Sequence, residues 1–215
     1  MAALQPHRML SLGVGVLALA GAWLGPLPRL APGSFSAHMT IHMTVVAVAA
    51  PFLALALAGT RWDPAVRWPA ALAPIPASLV ELVVVWLWHA PAIHHLARHS
   101  RVGGLLEQST FLASGLLVWT SAIGGAGPER RGRIAAWVVA LLLTSMHMTL
   151  LGALLALAPR PLFHHHGPAA GGLTPLDDQL LGGAIMLLVG GLAYLSGGLA
   201  LTAGLLRRRL APRQP

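Results

Sequence analysis

What most constrains this chain is the length of its apolar runs. Six stretches, 9–24, 37–58, 70–88, 105–123, 134–158 and 179–206, are nearly free of charge, and about 20 mostly apolar residues suffice for a helix to cross the hydrocarbon core of a bilayer. Between them lie segments rich in Pro, Gly and Arg, such as GPLPRLAPGS, GTRWDP and GGAGPERRGR, which read as loops. Charged residues make up only 9% of the chain, roughly a third of what a water-facing domain carries. A soluble enzyme, a secreted domain and a disordered tail are thereby excluded. The pattern predicts an all-α integral membrane helical bundle with about six transmembrane helices, one domain over residues 1–215, and the lipid bilayer as its surroundings. The first span follows a basic start and holds Ala18-Leu19-Ala20, so a cleaved signal peptide is its alternative reading.

The formal charge of +8 comes from 14 Arg and no Lys, and it is read through topology rather than through nucleic acid, for which no role is expected. Arg8, Arg61, Arg67, Arg130, Arg131, Arg133, Arg207, Arg208, Arg209 and Arg213 fall on one side of a six-span chain; Arg29, Arg98, Arg101 and Arg160 fall on the other. Basic residues mark the cytoplasmic side, so both termini are expected in the cytoplasm, with the chain multi-pass and its first, third and fifth loops facing the exterior or periplasm. The histidines then sort outward. His38 and His42 open the second span, His89, His94, His95 and His99 follow the third, and His164, His165 and His166 lie in the fifth loop. His147 sits about 16 Å below the outer end of the fifth span at the helical rise, and only His7 is cytoplasmic. Glu107, Asp177 and Asp178 share the outer side, while Glu81 lies mid-span, where a carboxyl group needs an interior partner or a proton.

The sharpest local pattern is His38-Met39-Thr40-Ile41-His42-Met43. Residues four apart share a helix face, so His38 pairs with His42 and Met39 with Met43. Thr144-Ser145-Met146-His147-Met148-Thr149 repeats the chemistry in the fifth span, and Met186 lies below Asp178 in the sixth. Imidazole with thioether is a soft donor set, and thioether selects Cu(I). The candidate metal ligands are His38, His42 and His147, with Met39, Met43 and Met148 beside them and His89, Asp178 and Met186 completing or gating the site. Packing is the competing account of each Met. His164–His166 would bind any divalent ion weakly. Trp86, Trp88 and Trp119 read as interfacial residues, and Gly183, Gly190, Gly197 and Gly204, seven apart, as a close-packing face. There is no Cys, no HExxH, no phosphate loop and no GxSxG, so no enzyme is expected.

From about Phe35 onward the chain resembles the CtaG-type assembly factors of caa-type cytochrome c oxidases. The resemblance is carried by His38-Met39 to His42-Met43 with Ala50-Pro51, Trp88-His89-Ala90-Pro91, Leu106-Glu107 with Phe111 and Trp119, Leu151-Gly152, Pro159-Arg160-Pro161-Leu162, and Leu176-Asp177-Asp178-Gln179 with Gly182 and Met186. It implies a membrane factor in oxidase maturation that assists copper delivery to the buried catalytic centre. The implied partners are cytochrome c oxidase subunits and a copper donor protein, with a homodimer as a further possibility. Gln108, His94 and Leu187 depart from the family pattern, which has His, Tyr and Trp there, and Gln108 removes one candidate ligand.

Two other functions fit the same residues. A copper transporter or resistance protein would continue the polar residues to the cytoplasmic face, where only Arg-rich loops and apolar helix are found. A b-type haem protein would use His42 and His147 as axial ligands. A structural or interaction protein without a cofactor is the remaining alternative.

Overall fold

The computed structural model describes residues 5–69, 72–125, 127–163 and 172–210. Ala70 at the start of the third expected span, His164, His165 and His166, and Arg213 lie outside them. Every regular element among the described residues is helical. Four helical stretches are long and apolar enough to cross a membrane: Pro6–Gly33, Phe35–Leu57, Ile134–Ala156 and Pro175–Gly204. A fifth joins them if the bent pair Pro74–His89 and Pro91–His99 is taken as one span.

The chain starts with α1 (Pro6–Leu24), then a short α2 (Leu27–Leu30) and a 3-10 turn. Most of α1 is exposed; Leu17 and Leu24 show 71% and 85% of their surface, as a lipid-facing helix should. Gly15 lets it approach Leu53, whose side chain would lie 2.8 Å from an added Cβ.

The second span is α3 (Phe35–Met43) and α4 (Ala50–Leu57), joined by a π-helical turn over Thr44–Ala49. The cause is legible in Pro51: its ring clashes with the carbonyl four residues back and supplies no N–H, so the ladder widens ahead of it. The carbonyl of Val46 then accepts from Trp119 Nε1 at 3.0 Å and lies 3.5 Å from the Tyr194 hydroxyl. Trp119, expected at a membrane interface, is instead 5% exposed and stacked on Tyr194 with ring centroids 5.0 Å apart.

After α5 (Pro64–Arg67), α6 (Pro74–His89) ends where Pro91 forces Ala90 into extended backbone (φ −66°, ψ 127°). The chain turns by 74° into α7 (Pro91–His99). The segment from His89 to Gly104, expected as a loop, is therefore mostly helix, and α8 (Arg101–Ile123) begins within it. Its 23 residues are long enough to cross a bilayer, but they include Arg101, Glu107, Gln108, Ser109 and Thr110.

The long α9 (Gly127–Ala156) buries Ile134, Trp137, Leu141, Thr144, Met148, Leu151 and Leu155, a three-four spacing that keeps one stripe turned into the bundle. It packs on α10 (Pro175–Ile185) and α11 (Gly191–Leu210), which are joined by a second π-helical turn, Met186–Gly190. The glycine face does what its spacing predicts at three of four positions. An added Cβ at Gly183 would meet Ala156 N at 2.5 Å, one at Gly190 Met43 Sδ at 3.3 Å, and one at Gly197 the Trp119 ring at 3.0 Å, while Gly204 faces open space.

Candidate metal centre

The site is built where α3 starts. Ser34 caps the helix by accepting from the Ala37 N–H at 3.2 Å. From α10, the Asp178 carboxylate accepts from Ser34 Oγ (2.9 Å), the Phe35 N–H (2.6 Å) and both the N–H and hydroxyl of Ser36. An acceptor at a helix N-terminus satisfies orphan donors and complements the helix dipole. Asp178, a candidate ligand, is thus engaged in fixing the turn from which His38 and His42 project. Gly182, one turn further along α10, leaves space for the Phe35 ring, which an added Cβ would approach to 2.4 Å.

His38 and His42 turn their Nε2 atoms toward each other at 2.7 Å. Glu107, projecting from α8, brings Oε1 to 3.3 Å from His38 Nε2 and 3.6 Å from His42 Nε2. The three residues are 1%, 0% and 1% exposed, and one donor atom from each lies within 4.8 Å of the others. Gly115 permits this approach: α8 closes onto the second span until an added Cβ would be 3.3 Å from both Val46 Cα and Ala50 Cβ.

His89 stands beside this trio, its ring centroid 6.1 Å from that of His42. Its Nδ1 is 2.7 Å from the Val85 carbonyl, an acceptor only, so Nδ1 carries the proton and Nε2 keeps its lone pair. That lone pair faces Met39 Sδ at 3.3 Å. Phe111 covers the His42 ring at a centroid distance of 4.1 Å, and the His94 ring lies 5.1 Å from that of His38.

Of the nine sequence-predicted ligands, His38 and His42 converge with Glu107, and His89, with Met39 against it, stands beside them. Met43 and Met148 flank Gly190. Met186 is fully buried in the second π-helical turn. His147 is 2% exposed, and neither of its ring nitrogens has a hydrogen-bond partner. Glu107 was legible as the one acidic residue of the fourth span; nothing in the sequence marks Arg98, whose guanidinium lies 3.1 Å from His38 Nδ1.

The donor set fits a metal ion. Two imidazoles and a carboxylate converge, and Glu107 Oε1, although close to both rings, has no hydrogen-bond partner. A cleft of about 560 Å³, lined among others by Trp23 and Arg98, reaches His38 and Glu107 from the α1 side. Gln108 is on its wall, accepting from Trp23 Nε1 at 3.1 Å.

Deeper in the bundle, Glu81 has the interior partner its position demands. The Tyr194 hydroxyl donates to Glu81 Oε1, and Ser78 Oγ lies 2.8 Å from Thr144 Oγ1.

Among known families, the model described as cytochrome c oxidase caa3 assembly factor matches residues 2–208 of this chain. No curated protein and no solved structure matches it.

Proposed function

This chain belongs to the cytochrome c oxidase caa3 assembly factor family, and we propose that its part in assembly is to hold Cu(I) and present it to the oxidase during copper-centre maturation. The observation that carries this reading is the buried convergence of His38, His42 and Glu107 at the foot of a cleft. His–His–carboxylate alone would also suit zinc. The adjacent thioether of Met39 and the free lone pair of His89 favour the softer ion. His38, His42 and Glu107 would hold the metal, with His89 and Met39 as the next donors inward. A bound cation would also neutralise the Glu107 charge inside the bundle. The factor works without catalytic turnover, as a six-span protein of the bacterial inner membrane with both termini cytoplasmic and the cleft facing outward. Its partners are an oxidase subunit and an external copper donor.

The test is complementation under copper limitation. In a strain lacking the factor, the wild-type chain is expected to restore copper-loaded oxidase, while H42A and E107A, present at wild-type level in the membrane, do not. Full restoration by both variants would contradict the assignment.

A further inference from the structure

Helix α7 carries histidines on two faces. His94 is 4% exposed, with its ring 5.1 Å from that of His38. His95 and His99 are exposed. Residues four apart on a helix share a face, and these two side chains have come together, with ring centroids 4.0 Å apart and planes inclined by 24°. His99 Nδ1 lies 2.9 Å from the His95 carbonyl, and because a carbonyl only accepts, that nitrogen donates and ties the ring to its own helix. An N–H given to a backbone carbonyl is the contact that orients histidines in metal sites. Two histidines one turn apart on one helix face are also a recurrent way of holding an ion. Metal–nitrogen bonds of about 2.0–2.1 Å keep two ligating nitrogens within about 4 Å of each other, and the rings already stand at that separation. Neither residue borders the cleft that leads to His38 and Glu107, whereas Arg98 and Arg101, on either side of His99 in the chain, both line it. The pair is therefore distinct from the buried trio.

We propose that His95 and His99 form a second metal site, on the exposed face of α7, which takes a divalent ion through two imidazole nitrogens while water completes its coordination. The donors are imidazole alone, whereas at the inner site Met39 stands against His89. Thioether favours Cu(I), and among first-row divalent ions Cu²⁺ binds nitrogen donors most strongly, so Cu(II) is the ion this pair selects. Uptake is ligand exchange: two waters leave the hydrated ion, two ring nitrogens replace them, and the metal keeps its oxidation state. The site goes beyond the reading of His38, His42 and Glu107 as Cu(I) ligands and does not depend on it. One short helix thus carries the outer pair on one face and His94, packed over His38, on the other. With the cleft facing outward, an ion arriving from outside meets the pair beside the cleft mouth.

The test is Cu(II) titration of the untagged full-length protein in detergent, followed by electron paramagnetic resonance. His164→Gln, His165→Gln and His166→Gln are present throughout, so that the histidine run contributes nothing. In a further H42A/E107A background, which disables the trio, one Cu(II) per chain is expected, with the nitrogen hyperfine pattern of two imidazoles. Adding H95A or H99A should abolish that two-nitrogen signal. With the trio intact, H95A/H99A should lose one Cu(II) equivalent and keep its anaerobic Cu(I) binding. Both positions are exposed, so Tm should stay at the wild-type value; H95Q and H99Q replace the alanine variants if it does not. No Cu(II) bound in the H42A/E107A background, or a two-nitrogen spectrum unchanged by H95A and H99A, would overturn the second site. The Cu(I) measurement on H42A and E107A decides the buried trio separately, so either site can fail without the other.

Discussion

Replacing Asp178 with Ala removes no atom of the His38–His42–Glu107 trio, yet it should weaken both the fold and the site. The carboxylate receives hydrogen bonds from Ser34 Oγ, the Phe35 N–H, the Ser36 N–H and Ser36 Oγ. The two serine hydroxyls, already 3.1 Å apart, can turn toward each other after the substitution. The Phe35 N–H, bonded at 2.6 Å, cannot, and an unsatisfied buried donor costs about 1–3 kcal/mol. With the weaker Ser36 N–H contact added, D178A should lose about 2–4 kcal/mol. At roughly 2–4 °C per kcal/mol for a chain of this size, Tm should fall by roughly 5–15 °C. Intrinsic tryptophan fluorescence during heating reads this directly, since the chain has 7 Trp. D178N, which keeps one acceptor oxygen, should fall between. Because the freed turn carries His38 and His42, metal affinity should drop along with Tm. A D178A protein with wild-type Tm and wild-type affinity would refute the view that this carboxylate organises the site from outside it.

Gly152 sits where an added Cβ would meet Leu187 N at 2.7 Å and the Gly183 carbonyl at 2.8 Å, so G152V should cost at least about 1–3 kcal/mol through overpacking; G204A, facing open space, should leave Tm unchanged or slightly raised. Y194F keeps the stacked ring on Trp119 but deprives buried Glu81 of its donor, whereas the amide oxygen of E81Q can still accept from Tyr194. Y194F should therefore lower Tm more than E81Q, and equal shifts would contradict the assigned direction of that hydrogen bond. Asp63 ties two turns together by accepting from the N–H groups of Gly59, Ala65 and Gly125 at 2.7–2.9 Å, so D63A should destabilise the fold and leave metal affinity per folded molecule unchanged, the opposite pairing from D178A.

The membrane-helix character was legible because a helix that faces lipid must be apolar over its whole length, and no arrangement of neighbours changes that. What neighbours decide was not legible. The segment Pro91–His99 reads as a loop by its His and Arg content, yet Pro91 suits a first helical turn, and His94 and Ala97 are buried against the rest of the bundle. The widened turn before Pro51 follows from proline geometry, but its use, offering the Val46 carbonyl to Trp119, depends on a helix more than 60 residues away. Within the site, the spacing of His38 and His42 placed them on one face. Spacing along one helix says nothing of which helix that face meets, and this is why Glu107 joins the pair while Met43 and Met148 pack around Gly190. Asp178 shows the same gap: its position at the start of the last span was readable, its engagement with the Ser34–Ser36 turn was not.

The central claim is that His38 and His42 bind one metal ion together with Glu107. X-ray absorption at the copper edge, on full-length protein loaded with Cu(I) under reducing conditions, tests it most directly. The prediction is one copper per chain with the outer-shell scattering of imidazole, reduced in H42A, and loss of an oxygen or nitrogen scatterer in E107A. Copper without imidazole scattering, or a spectrum identical in wild type, H42A and E107A, would contradict it.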